Sequence, residues 1–106
     1  MNAATAPTFR FDIFIAGDIA EAKRICARYC FDHGLCATVE PVSFVYTGGT
    51  EEGARIGLIN YPRFPVAENE LGATARALAE ALMEGLCQHS FSIVGPKETI
   101  WCSRRA

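Results

Sequence analysis

The spacing of apolar residues along this chain switches four times between a period of two and one near 3.6, and that succession constrains the fold more than any motif. Phe9, Phe11, Ile13 and Ile15 alternate with Arg10, Asp12 and Phe14, the pattern of a strand with one buried face. Beyond Gly17, the residues Ile19, Ala22, Cys26, Tyr29 and His33 recur at helical spacing. Asp18 with Glu21 three residues later is a variant capping box, and Gly34 suits the left-handed turn that stops a helix. Leu35 to Thr47 is rich in Val, Thr, Phe and Tyr, and residues 54–61, ARIGLINY, read as a third strand. Gly48 to Gly53 are expected to link the two as a hairpin loop. Pro41 lacks the donor that a central strand needs, so its strand is an edge or carries a bulge. Leu71, Ala75, Leu78, Ala79, Leu82 and Leu86 predict a second helix that ends near Gln88. His89 to Val94 reads as a fourth strand, and Thr99 to Cys102 as a short fifth.

The order β-α-β-β-α-β predicts a ferredoxin-like α+β domain. This is a two-layer sandwich: a four-stranded antiparallel sheet with two helices on one face, extended by a short C-terminal strand. A length of 106 residues suits one domain with one core. Residues 1–8 are small and polar and read as a flexible tail ahead of a single domain over 9–106.

Composition excludes some partners. The net charge is -2, and only Lys23-Arg24 and Arg104-Arg105 form basic pairs, so no nucleic-acid footprint is expected. No run approaches the roughly 18–20 apolar residues of a membrane span, so no membrane partner is expected either. The N-terminal MNAATAPTFR has neither a basic nor an apolar signal region. Five cysteines at irregular spacing cannot all pair within one chain. Reduced thiols and a cytoplasmic location are the simpler expectation.

Two helices cover one face of such a sheet. The other face is expected to carry Val42, Phe44, Tyr46 and Ile59, with Arg55, Tyr61 and Phe14. Large apolar patches are rarely left bare. A homo-oligomer, trimer or dimer, is therefore expected through this open face, with a ligand as the second candidate cover. The layout also resembles the CutA-like divalent-cation-tolerance family: GLCATVEPVSFVY after the first helix, a glycine-containing hairpin, a long second helix and a late strand near Trp101. LCATV is similar to that family's Leu-Ala-Ala-Cys-Val stretch, whereas its His-Pro-Tyr is replaced here by CQHSFSIV. The resemblance implies a ferredoxin-like trimer and supports no metal assignment.

Several side-chain sets bear on chemistry. Cys26, Cys30 and His33 stand at i, i+4 and i+7 of the first helix, with Cys36, Cys87 and His89 elsewhere as further soft ligands. The same stripe carries Ile19, Ala22 and Tyr29, so buried thiols are expected rather than a metal site. Asp18 and Glu21 are explained by capping, and Glu51-Glu52 by a solvated hairpin tip. His89 and Ser90 are adjacent in a strand and point to opposite faces, which disfavours a base–nucleophile pair. TGGTEEG lacks the lysine of a phosphate loop and leads into a strand rather than a helix. NYPRFP holds Tyr61, Arg63 and Phe64 around two prolines, and these three form the expected binding surface. No cofactor is expected. The combined reading is a small cytoplasmic protein of bacterial or phage type, an oligomeric, non-catalytic binding module with a possible protein partner. The alternatives are a small oligomeric ferredoxin-like enzyme, isomerase- or monooxygenase-like, and a CutA-like cation-binding trimer.

Overall fold

Two helices lie across one face of a five-stranded antiparallel sheet in a computed structural model that describes residues 1–105. The elements run β1 (Arg10–Ala16), α1 (Ile19–His33), β2 (Thr38–Tyr46), β3 (Gly49–Ile59), α2 (Glu68–Gly85), β4 (Ser90–Val94) and β5 (Thr99–Ser103). The sheet order is β2-β3-β1-β4-β5, the ferredoxin-like arrangement with β5 added outside β4. No helix among the described residues is long and apolar enough to cross a membrane.

Local chemistry sets the helix ends. The Asp18 carboxylate accepts from the Glu21 amide at 2.9 Å, a cap worth about 1 kcal/mol. Gly34 closes α1 in the left-handed region at φ 63°, its amide returning to the Cys30 carbonyl. In α2 the residues Leu71, Ala75, Leu78, Ala79 and Leu82 are buried, as their spacing requires. They join Ile13, Ile15, Ile56, Leu58, Phe91 and Ile93 in one core. Each fully buried Leu or Ile contributes roughly 1.5–3 kcal/mol of transfer free energy.

The β2–β3 hairpin differs from the sequence expectation. Its turn is two residues, Thr47-Gly48, and Tyr46 faces Gly49. Thr50, Glu51 and Glu52 are therefore strand, not loop. A Gly48–Gly53 loop would set Thr47 opposite Ala54; the observed pairing differs from that by an even number of residues, so the strand side chains keep their expected faces, whereas β3 ends at Ile59 and leaves Tyr61, expected on the open face, in the following turn. Ile56 and Leu58 point into the core, while Phe44, Tyr46, Arg55 and Ile59 lie on the open face. Because β1 ends where Ala16 meets Gly53, residues 43–52 project past the sheet as a two-stranded ribbon. Val45 on one side of it is 78% exposed and Tyr46 on the other 56%. A bare two-stranded ribbon is marginally stable in water.

Candidate functional site

Register aligns the open face in rows. Trp101 of β5, Ser92 of β4, Phe14 of β1, Arg55 of β3 and Glu40 of β2 form one cross-strand row. Towards the ribbon, Ala16 and Gly53 leave the next row low. A Cβ at Gly53 would lie 2.5 Å from Phe44 Cε2 and 2.3 Å from the Ile15 carbonyl oxygen, so the ring leans over a position only glycine fits. Phe44 pairs across the hairpin with Glu51. A cavity of about 450 Å³ opens here, walled by Phe14, Phe44 and Trp101, with Glu51, Gln88, His89, Ser90, Ser92 and Arg105 as its polar groups. Its size falls within the range of small-molecule pockets.

An ion cluster supports the aromatic wall. Asp12, only 6% exposed, accepts from Arg10 at 2.6 and 3.0 Å and from Arg55 at 3.3 Å. Burial pushes its carboxyl up, but the hydrogen bonds and charges of Arg10 and Arg55 outweigh this and hold it below the ordinary value. Asp12 in turn raises the Arg10 guanidinium. Arg55 stands 5.9 Å from the centre of the Phe14 ring and 3.9 Å from Glu40, tying β1, β2 and β3 together behind the cavity.

The expected oligomer face is only partly apolar. Val42 and Phe44 are half-buried and Tyr46 and Ile59 exposed, but the ion cluster and Ser90, Ser92 and Ser103 occupy much of the remaining surface. Alternation hid this, because Arg10 and Asp12 read as the solvent side of β1 without showing that they meet Arg55.

The thiol stripe diverges. Cys26 is buried, and burial, with Cys30 nearby, pushes its thiol up to about 11. Cys30 is also raised, by burial and by Cys36. His33 is exposed, stacks on Tyr29 at 3.9 Å and places Nδ1 2.9 Å from the Tyr29 carbonyl. Among the described residues no three His, Cys, Asp or Glu side chains converge as a metal site.

Tyr61, Arg63 and Phe64 do come together, at the opposite end of the sheet. The Phe64 amide donates to the Tyr61 carbonyl at 2.9 Å, closing a tight turn with Pro62 at its second position. Buried Asn60 clamps this turn: its Nδ2 donates to the Pro7 carbonyl and its Oδ1 accepts from the Val66 amide, each at 2.9 Å. The Cys36 side chain, with partial burial, raises the Tyr61 phenol. Sequence reasoning missed Glu51, Ser92 and Trp101 at the first cavity. A two-residue turn at Thr47-Gly48 was the signal that would have put Glu51 opposite Phe44.

No family model matches the chain, and nothing beyond the order of its elements supports the resemblance to CutA-like proteins. No curated protein sequence matches it either. Two solved structures are similar to it. One is a phage SAM lyase in its apo state: TM-score 0.73, 18% identity, covering 92% of this chain and 90% of that one. The other is a phage SAM lyase in complex with S-methyl-5'-thioadenosine: TM-score 0.74, 17% identity, covering 97% of this chain and 95% of that one. The expectation of a non-catalytic binding module is thereby corrected. The fold is shared nearly end to end with an enzyme, which favours the enzyme alternative. Alternation and turn chemistry carry no signal for this, since one fold hosts both catalysts and binding modules.

Proposed function

We propose that this chain is a lyase acting on S-adenosylmethionine, with the cavity on the open sheet face as its site. The observation that carries the reading is the cavity of about 450 Å³ walled by Phe14, Phe44 and Trp101 beside Glu51, on a fold shared with a lyase for that substrate. The substrate has an adenine ring, a ribose diol, a sulfonium cation and an amino-acid tail. The three aromatic rings offer stacking surface for adenine and cation–π faces for the sulfonium, worth about 0.5–2 kcal/mol. Glu51 is assigned the ribose hydroxyls, the role a carboxylate plays in dinucleotide sites. Ser90, Ser92 and Arg105 line the same cavity and suit the tail's carboxylate.

Forming S-methyl-5'-thioadenosine from this substrate breaks the bond between sulfur and Cγ of the tail; the electron pair goes to sulfur, and the tail's own carboxylate oxygen bonds to Cγ in its place, closing a five-membered lactone. The sulfonium is already an activated leaving group. It loses its charge as the bond breaks, so contacts to that charge aid binding rather than the step itself. The step gains from fixing the tail's geometry and keeping water away. An open sheet face excludes little water alone, which supports a second part of the proposal. The protein works as a homo-oligomer, dimer or trimer, with another copy covering the ribbon that carries Val45 and Tyr46 and part of the open face. Five free cysteines suit a cytoplasmic protein.

The test is to incubate purified protein with S-adenosylmethionine and follow S-methyl-5'-thioadenosine by liquid chromatography with mass detection. Turnover is expected, with Phe44→Ala and Trp101→Ala each at least about tenfold slower. Folded protein that neither forms nor binds S-methyl-5'-thioadenosine between pH 6 and 9 would overturn the reading. Light scattering that shows a monomer at micromolar concentration would remove the oligomer.

A further inference from the structure

We propose that the cavity under the Tyr61–Phe64 turn is a second binding site, for a small apolar molecule that bears a carboxylate. The site is distinct from the open-face cavity and does not rest on the lyase reading. Register separates them: β1 begins where Arg10 meets Ile59 and ends where Ala16 meets Gly53. At roughly 3.4 Å per residue, these ends lie about 20 Å apart.

The cavity has about 440 Å³, and its walls come from four segments. Leu35 and Cys36 follow α1, Ile59 ends β3, Phe64 and Val66 lie in and just after the turn, and Leu71 stands near the start of α2. Its polar groups are few: the Tyr61 phenol beside Cys36, and the Arg63 guanidinium. Arg63 stands 5.3 Å from the centre of the Phe64 ring. None of the ion pairs among the described residues involves Arg63. An apolar hollow with an unpaired guanidinium on its wall complements a ligand with a greasy body and an anionic head.

The frame is built in advance. Pro62 and Pro65 fix φ on either side of Arg63-Phe64, the Tyr61–Phe64 hydrogen bond closes the turn, and Asn60 pins both flanks. Phe64 is thus held 70% exposed, although an aromatic ring on a loose loop would fold down onto the core. A frame that is already ordered has less conformational entropy to lose on binding.

Chain-matched probes test the head-group requirement. ¹⁵N-labelled protein is titrated with decanoate, decanol and decyltrimethylammonium, and amide shifts are followed. Decanoate is expected to shift Tyr61, Arg63, Phe64 and Val66 and to bind about tenfold more tightly than decanol, the equivalent of about 1.4 kcal/mol. The cationic probe is expected to be weakest. Arg63→Gln should bring decanoate down to the level of decanol, Arg63→Lys should restore part of the difference, and Phe64→Ala should weaken both. Formation of S-methyl-5'-thioadenosine by Arg63→Gln, where wild type shows it, should be unchanged. Equal affinity for decanoate and decanol, shifts confined to the Phe14–Phe44 cavity, or indifference to Arg63→Gln would each overturn the proposal. Absence of lyase activity would leave this site standing and remove only the reading of the open face.

Discussion

Gly53→Ala tests whether the floor of the open-face cavity is set by backbone proximity. The added methyl carbon would lie 2.3 Å from the Ile15 carbonyl oxygen, 2.9 Å from Ala16 Cα and 2.5 Å from Phe44 Cε2. Comfortable carbon contacts begin near 3.5 Å, so β1 and β3 would have to part by about 1 Å at this pair. Only the Phe44 ring is the end of a movable side chain; the other two contacts are main chain. Overpacking costs about 1–3 kcal/mol, and the lack of a yielding partner puts this site in the upper half. The smaller entropy of the unfolded alanine chain returns roughly 0.4–1 kcal/mol. A net loss of about 2 kcal/mol corresponds to a Tm lowered by roughly 8–15 °C for a domain of this size. Differential scanning calorimetry reads it. Gly49→Ala is the control, because the nearest atoms to its Cβ would be those of the Tyr46 ring, at 3.3 Å, and that exposed ring can swing into solvent. Adding Phe44→Ala to Gly53→Ala should recover a minor part of the loss, because the carbonyl clash persists. A Gly53→Ala melt within about 2 °C of wild type, or full recovery in the double variant, would refute the reasoning.

Three further outcomes are expected. Trp101 is the only tryptophan and is 67% exposed on the cavity wall, so S-methyl-5'-thioadenosine should change its fluorescence; a saturable signal that Phe44→Ala leaves untouched would argue against a shared site. Asp12 has a lowered pKa when folded, so its stabilisation is present above the ordinary carboxyl value near 4 and is lost as pH falls through the folded value. Melting curves from pH 7 to 2.5 should therefore steepen in acid for wild type and flatten for Asp12→Asn, which should also lose about 1–3 kcal/mol at neutral pH. Cys26 is raised to about 11, so its contribution is complete below the ordinary thiol value near 8.5 and declines as pH rises towards 11. Cys26→Ala should show a shallower alkaline loss in denaturant unfolding, and a disulfide reagent should label exposed Cys36 and Cys87 in the native protein before Cys26.

What the sequence by itself determined was local. Period-two alternation assigned the residues of β1 and β3 to their faces. An i, i+4, i+7 stripe placed Leu71, Ala75, Leu78 and Leu82 in the core. Asp18 and Gly34 marked the ends of α1. These signals survive a mistaken pairing, because alternation depends only on parity: the hairpin was displaced by an even number of residues and no strand side chain changed face. Tertiary structure decided which residues meet. The two-residue turn at Thr47-Gly48 sets Glu51 against Phe44, the β1–β4–β5 register lines Trp101 and Ser92 up with Phe14, and the β1–β3 pairing brings Arg55 to Asp12 across 43 positions of chain. Likewise NYPRFP announced a stiff turn, but only packing against Cys36, Leu71 and Val66 made it the roof of a cavity. Periodicity and capping act over one or two turns of chain, whereas a binding site is a long-range coincidence of register and packing that neighbouring residues do not encode.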